Sequence, residues 1–314
     1  MDKVVAIVGA TAVGKTALSF ALAEKLKAPL ISGDAYQVYK HMDIGTAKPT
    51  PEELRQFRHY FIDTLQPEQT YSAAQFCIQA KQYIAQYNEQ HAIPIVVGGT
   101  GLYIQALLEG YEFGAPQSVP AIRTQVIQRI KHSNVATLKE HIYKHTQWEP
   151  KDWHELLANK NRLIRLLEAI ELGQGKEFIH AGKASSPCYD AYVIGLSLPR
   201  SVLYERIEKR IDMMIQQGWI DEVRYLLQLG CDMESQAMKA IGYRELAAYI
   251  RHELSLEKAV MITKKRTRQF AKRQITWFKR MPYIHWFAKE TYGTERELIQ
   301  DVMANLPWDL QERK

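Results

Sequence analysis

The chain has 314 residues, 46% of them hydrophobic and 24% charged, which is the balance of a soluble globular protein long enough for about two domains. Its longest apolar runs, such as Val4 to Val8 and Ile93 to Val97, fall far short of the roughly 20 residues that cross a bilayer, so no membrane partner is expected. The three cysteines have neither metal-ligand spacing nor a disulfide framework, which points to the reducing cytosol, and the net charge of +6 is concentrated late, with eight basic residues and no acidic one between Lys264 and Arg280.

Val4 to Val8 reads as a short strand running straight into a glycine loop. Ala17 to Leu26 follows with helical periodicity, placing Leu18, Leu22 and Leu26 on one face. Leu30 to Ser32 is a second strand, ending beside Asp34. Thr50, Pro51 and Glu53 give a helix start, and Ser72 with Gln75 gives another. Tyr60 to Ile62 reads as a third strand and Ile93 to Val97 as a fourth, the latter followed by Gly98, Gly99, Thr100 and Gly101. Alternating strands and helices imply a doubly wound parallel sheet whose ligands bind beyond the carboxyl ends of the strands. The loops at Gly9–Thr16, Asp34–Tyr39 and Gly98–Gly101 should therefore open onto one crevice. Past Gly110 the pattern changes, with Pro116 and Pro120 as punctuation and helices to about Gly173. Tyr192 to Leu198 returns to the sheet, Pro199 to Arg280 is mostly helical, and Ile284 to Phe287 is a last strand. The expected fold is an α/β, P-loop NTPase-like core over residues 1–114 and 189–314, with a mostly helical C-terminal part and a helical insertion over 115–188.

Gly9, Ala10, Thr11, Ala12, Val13, Gly14, Lys15 and Thr16 fit the pattern G-x-x-x-x-G-K-[ST] in the required strand-to-helix context. The glycines let the backbone wrap a phosphate, and the helix N-terminus adds free N–H groups. Lys15 would neutralise phosphate charge and the Thr16 hydroxyl would hold Mg²⁺. The loop marks a phosphate site without naming a reaction. No N/T-K-x-D motif supports a GTPase, Tyr60-Phe-Ile-Asp63 is only a short candidate for an ATPase acid, and a small-molecule kinase remains an alternative. Asp34 is placed to act as a general base on a hydroxyl or amine, or else is a turn residue. Gln37 has the amide that reads an adenine edge, although spacing alone suits a solvated loop. Three glycines around Thr100 exceed what a turn needs and suggest close approach of a ligand. Arg206 and Arg210 lie one helical turn apart on the face opposite Leu203, Ile207, Ile211 and Met214. They could clamp a diphosphate, or form a solvated face partnered by Glu205 or Glu208. The basic stretch interleaves Lys272 and Arg273 with Phe270, Trp277 and Phe278, as RNA-binding segments do.

These residues together resemble the tRNA dimethylallyltransferases, also called tRNA isopentenyltransferases, in their bacterial form. The likeness runs through GATAVGKT, SGDAYQVYKHMDIGTAKPT, VGGTGLYIQALLEG, NRLIRLLEAIELG, LYERIEKRIDMMIQQG, KAIGYREL and TRQFAKRQITWFKR, in family order over almost the whole chain. The resemblance implies transfer of a dimethylallyl group from dimethylallyl diphosphate to N6 of the adenosine 3′ to the anticodon, with tRNA gripped at its anticodon stem-loop. It implies that the P-loop holds the prenyl donor's diphosphate with Mg²⁺, that Asp34 is the general base, and that Arg210, with Arg206 as the nearby alternative, helps bind the diphosphate. It further implies tRNA contacts from Asp34, Ala35, Tyr36 and Gln37, from Thr100 and Arg123, and from Asn161, Arg162, Leu163, Ile164 and Arg165. Lys239, Ala240, Ile241, Gly242, Tyr243 and Arg244 form a further such segment, as do Lys272, Arg273, Gln274 and Trp277. Two residues depart from the family pattern: Ala10 stands where many members have Pro, and Ala35 replaces the usual Ser, removing a hydroxyl near the target base. No Cys/His cluster of the kind that forms a zinc-finger tail is present. The enzyme is expected to act as a monomer.

Overall fold

The computed structural model describes residues 1–114 and 119–308; Pro116 and the expected start of the insertion at 115 lie outside them. The chain opens with β1 (Lys3–Gly9) and α1 (Lys15–Leu26), then β2 (Leu30–Ser32), α2 (Pro51–Gln56), β3 (His59–Tyr60), α3 (Ala73–Glu89), β4 (Ile95–Gly98) and α4 (Gly101–Leu108). Thr50 and Ser72 cap α2 and α3 through reciprocal bonds with Glu53 and Gln75, which satisfies backbone donors that a helix start leaves open. After an intervening helical segment the chain returns as β5 (Asp190–Ser197).

Six strands form one parallel sheet in the order β3-β2-β4-β1-β5, with the last strand, Ile284–Ala288, on the outer edge beside β5. β1 lies between β4 and β5 and is covered by helices on both faces, so it is apolar at successive positions rather than alternating. Val4, Val5, Ala6, Ile7 and Val8 are all at 0% exposure. Each large aliphatic chain buried this way contributes roughly 1.5–3 kcal/mol, which makes β1 a rigid base for the loop that follows it. Because the chain leaves β1 for β2 and β3 on one side and reaches β5 on the other, a crevice opens at the carboxyl end of β1.

The residues between β4 and β5 divide from the rest: 109–187 form a compact unit of their own. It contains α5 (Pro120–His132), α6 (Val135–Thr146), α7 (Trp153–Ala158), α8 (Lys160–Glu171) and α9 (Gly175–His180), with no strand among the described residues. Val126, Leu138, Ile142, Leu156, Leu163, Leu166, Leu167 and Ile170 make its core. In the other unit, β5 is followed by α10 (Arg200–Gln216), α11 (Trp219–Gln228), α12 (Tyr243–Ile250), α13 (Leu256–Phe278), β6 (Ile284–Ala288) and α14 (Glu295–Ala304). No helix among the described residues is long and apolar enough to cross a membrane.

The third strand is shorter than Tyr60 to Ile62, because Phe61 turns to φ +65° and leaves the extended conformation. Its ring instead packs edge-on against Phe76, with centroids 5.6 Å apart. Asp63, weighed as the acid ending a longer strand, is paired with Lys48.

The crevice is held by close backbone contact between β2 and β4. Gly33 N–H donates to the Val97 carbonyl at 2.8 Å. A Cβ on Gly98 would stand 2.3 Å from the Gly33 oxygen, where backbone rather than a flexible side chain must give way. Gly98→Ala is therefore expected to lower the urea unfolding free energy by about 1–3 kcal/mol, the usual cost of forced overpacking. Unchanged stability would show that β2 and β4 are free to separate at their ends.

Candidate active site

The loop from Gly9 to Thr16 takes its shape from three positive φ angles, at Gly9 (+146°), Ala12 (+63°) and Gly14 (+107°). Gly9 could not be replaced cheaply, since a Cβ there would meet the Leu196 carbonyl oxygen at 2.7 Å. Lys15 Nζ folds back onto the carbonyls of Gly9 and Ala10, at 3.0 and 2.8 Å, so its ammonium stands at the loop's mouth. Thr16 lies exposed in the first turn of α1.

Asp34 follows β2. Its Oδ1 accepts the Tyr36 amide at 2.8 Å and the Gln37 amide at 3.3 Å, which fixes the carboxylate. The Thr100 hydroxyl accepts the Ala35 amide at 3.1 Å, bracing the same loop from β4. Arg210, on α10, reaches the Thr11 hydroxyl at 3.4 Å. Arg206, one turn earlier, is exposed; Glu205 pairs with Lys209 and Glu208 with Arg268, so neither is its partner.

Burial sets the electrostatics of this group. It depresses the Lys15 ammonium to about 8, with the Arg210 charge adding to the effect and Asp34 opposing it. Burial raises the Asp34 carboxyl above its ordinary value, against the pull of the two amides and of the Lys15 and Arg210 charges. The Arg210 guanidinium is lowered by the same burial, opposed by Asp34. Two cations and one carboxylate thus share a recess in which each charge is under strain.

A cavity of about 320 Å³ opens beside Asp34 and Arg210. Thr11, Asp34, Tyr36 and Arg210 supply polar lining, and Lys239 and Arg273 add basic groups. Thr46 and Thr267 add hydroxyls, and Ile207, Ile211, Met214, Trp219, Ile241 and Phe270 supply most of the apolar lining. Arg210 is therefore not opposite Ile207, Ile211 and Met214. Residues three and four apart on a helix are neighbours, which puts Ile207 and Met214 beside Arg210, and Ile211 lines the same cavity.

Other expected site residues are dispersed. Gln37 has its amide occupied: Oε1 accepts from Ser32 at 2.8 Å, and Nε2 donates to the Thr46 and Ala47 carbonyls at 3.2 Å each. Ala240 and Ile241 line the cavity, whereas Gly242 backs onto the Trp219 ring and Tyr243 is fully buried. Arg244 donates to Met233 O and Glu234. On α13, Lys272, Arg273 and Trp277 are exposed, and Gln274 is buried. The glycines around Thr100 do not wait for a ligand. A Cβ on Gly99 would meet Gln274 at 2.2 Å, and one on Gly101 would meet Trp277 at 2.5 Å.

In the unit of 109–187, Asn161 and Arg162 are exposed while Leu163 belongs to the core and Ile164 packs against it. Arg123 and Arg165 both bind Glu168, at 3.0 and 2.7 Å, and that carboxylate is at 0% exposure. Glu168 thus presents two guanidiniums in fixed positions, a role that its helical periodicity does not announce.

Sequence reading used the stretch from Asp43 to Ala47 only as part of the family likeness and gave it no place in the site. Its amides at Asp43, Ile44 and Gly45 all donate to the Glu222 carboxylate, at 2.7, 2.7 and 3.1 Å, and Tyr243 donates to the same group at 2.7 Å. Gly45, Thr46 and Ala47 then form a wall of the cavity.

The sequence model of the IPP transferase family matches residues 37–281. A protein of Carboxydothermus hydrogenoformans named tRNA dimethylallyltransferase is 43% identical over 91% of this chain and 92% of its own length. One of the same name from Macrococcus caseolyticus is 39% identical over 98% of each chain. The crystal structure of a tRNA delta(2)-isopentenylpyrophosphate transferase from Staphylococcus epidermidis superimposes with a TM-score of 0.70 at 36% identity, covering 100% of both chains.

An anion seated in the loop would favour the Lys15 ammonium and return its pKa toward the ordinary value. Binding of inorganic diphosphate near pH 8 should therefore take up a proton, and affinity should fall as the pH rises through about 8. Titration calorimetry in two buffers of different ionisation heat would read the uptake. Lys15→Arg, whose guanidinium does not titrate, should abolish it. Equal uptake in both proteins would assign the proton elsewhere.

Proposed function

The chain belongs to the tRNA dimethylallyltransferase (IPP transferase) family and is a transferase acting on tRNA, and we propose that it moves the dimethylallyl group from dimethylallyl diphosphate to N6 of the adenosine 3′ to the anticodon, with the donor's diphosphate held in the Gly9–Thr16 loop. The observation that carries this reading is the character of the cavity. Asp34 and Arg210, both coupled electrostatically to Lys15, stand beside an apolar lining of Ile207, Ile211, Met214, Trp219 and Phe270. A nucleoside triphosphate would want polar partners for its sugar and base there, whereas a short allylic hydrocarbon wants none.

An exocyclic adenine amine is a poor nucleophile because its lone pair is delocalised into the ring. An allylic carbon compensates by spreading positive charge as the C–O bond to diphosphate breaks. The new bond joins that carbon to N6, the electron pair of the old one leaves on the diphosphate oxygen, and the N6 proton passes to the Asp34 carboxylate. Lys15, Arg210 and the loop amides stabilise the departing charge. The raised pKa of Asp34 suits a base, since a carboxylate with greater proton affinity accepts the amine proton more readily.

The donor set also fits Mg²⁺. Thr16 offers an exposed hydroxyl, and no cluster of three His, Cys, Asp or Glu side chains among the described residues forms a protein cage. Mg²⁺ bound chiefly through substrate phosphate oxygens and water needs no such cage. When bound, it supplies further neutralisation of the diphosphate. Lys272, Arg273, Lys239 and the arginines held by Glu168 supply the positive charge for RNA phosphates.

Incubation with labelled dimethylallyl diphosphate or labelled ATP, together with unmodified tRNA, tests the reading. Label from the prenyl donor alone should enter tRNA; phosphoryl transfer from ATP would favour a kinase. Asp34→Asn should bind both substrates yet transfer about 10² to 10⁴-fold more slowly. Activity requires the ionised carboxylate, so it is present above the Asp34 pKa and lost as the pH falls through it. The variant should lack this acid limb, which should stand above the ordinary carboxylate range in the native enzyme. Full recovery of rate with extra Mg²⁺ would show that Asp34 serves the metal and is not the base.

A further inference from the structure

Gln274 lies near the C-terminal end of the basic helix α13, yet it is only 5% exposed. Its Oε1 accepts the Thr11 amide of the phosphate loop at 2.9 Å. Its Nε2 donates to the Gly99 carbonyl, also at 2.9 Å. The contact is built from both sides: Gly99 has no room for a Cβ because the Gln274 amide occupies that space. Ala271 and Phe278 bury the same helical face, while Lys272 is exposed and Arg273 borders the cavity.

What the two bonds join matters. Thr11 also takes the Arg210 guanidinium on its hydroxyl, so it belongs to the side of the crevice that holds the leaving group. Gly99 precedes Thr100, whose hydroxyl accepts the Ala35 amide next to Asp34. One carboxamide therefore ties the loop that grips diphosphate to the loop that braces the base. The Thr11 amide, spent on Gln274, is also withdrawn from the donors available to a phosphate.

We infer that Gln274 is a positioning residue for the transfer step and not a contact to RNA: its carboxamide sets the spacing between the diphosphate loop and Asp34. This rests on the reading of the reaction given above. An amide suits the task because it carries an acceptor and a donor side by side, matched to one N–H and one C=O. A carboxylate would keep the acceptor, lose the donor and repel the Gly99 oxygen. A protonated carboxyl restores the matched pair.

Gln274→Glu tests this directly. Single-turnover rates with both substrates saturating should be about tenfold or more below the native rate where the new side chain is ionised, since small misplacements of reacting groups are costly. The ratio of variant to native rate should rise toward unity as the pH falls and the side chain takes up a proton. The ratio cancels the acid limb that both proteins share through Asp34. Gln274→Met, which can make neither bond, should be slow at every pH. Both variants should hold tRNA with native affinity in gel shifts, and urea unfolding at each pH would separate loss of fold from loss of alignment. The Thr11 amide resonance should titrate in Gln274→Glu and stay fixed in the native protein, a readout independent of the reaction. A rate ratio flat across pH in an active enzyme, or weakened tRNA binding with native rates at saturation, would overturn the inference. A native chain inert toward labelled dimethylallyl diphosphate would instead overturn the reading of the reaction, and the Thr11 resonance would still report whether the bridge exists.

Discussion

Three charges withdrawn from water at the ends of parallel strands are the constraint on which the rest of this structure depends. Lys15, Asp34 and Arg210 are each pushed by burial toward the neutral form; the Tyr36 and Gln37 amides, then the two cations, favour the Asp34 carboxylate, and that carboxylate in turn favours both cations. The net excess of one positive charge makes the recess a site for an anion, and an anion relieves the strain on both cations. The scaffold keeps the three close without letting them collapse. Lys15 is parked on two carbonyls, Asp34 on two amides, and Arg210 on a hydroxyl.

Around that core, much of the polar chemistry is spent on holding loops in place. Glu222 gathers three successive amides at Asp43, Ile44 and Gly45, and so fixes the wall that faces α10 and α11. Gln37 spans from Ser32 to the carbonyls of Thr46 and Ala47, and the buried Lys48 ammonium binds Tyr39 O and Asp43. The Trp219 ring fills the space left by two glycines, Gly45 and Gly242. The cavity is thus bounded by groups whose hydrogen bonds are largely satisfied within the protein. Lys15, Asp34 and Arg210 remain to meet a ligand. Such preorganisation lowers the cost of aligning a weak nucleophile with an allylic carbon.

The phosphate loop, the strand preceding it and the capped starts of α2 and α3 were legible because their signals are local. A glycine pattern, an apolar run or a cap occupies a few consecutive residues. The glycines at 98–101 were legible only as an excess, because what they accommodate, Gly33, Gln274 and Trp277, comes from distant parts of the chain. Glu222 and Glu168 carry no local signal at all. Each looks like a solvated helix acid until its helix is packed against amides or arginines far away in sequence. Arg210 was assigned to the wrong face of α10 although its spacing from Ile207 and Met214 already placed the three on one flank. Phe61 left its strand early because packing against Phe76 outweighed its intrinsic preference for extended backbone.

The most direct measurement is a crystal structure of the enzyme with dimethylallyl thiolodiphosphate, whose bridging sulfur resists departure, and Mg²⁺. The diphosphate should lie in the Gly9–Thr16 loop with Lys15 and Arg210 upon it. The hydrocarbon should lie against Ile207, Ile211, Met214 and Phe270, with the allylic carbon facing Asp34. A diphosphate bound outside the loop, or a hydrocarbon turned away from Asp34, would contradict this arrangement.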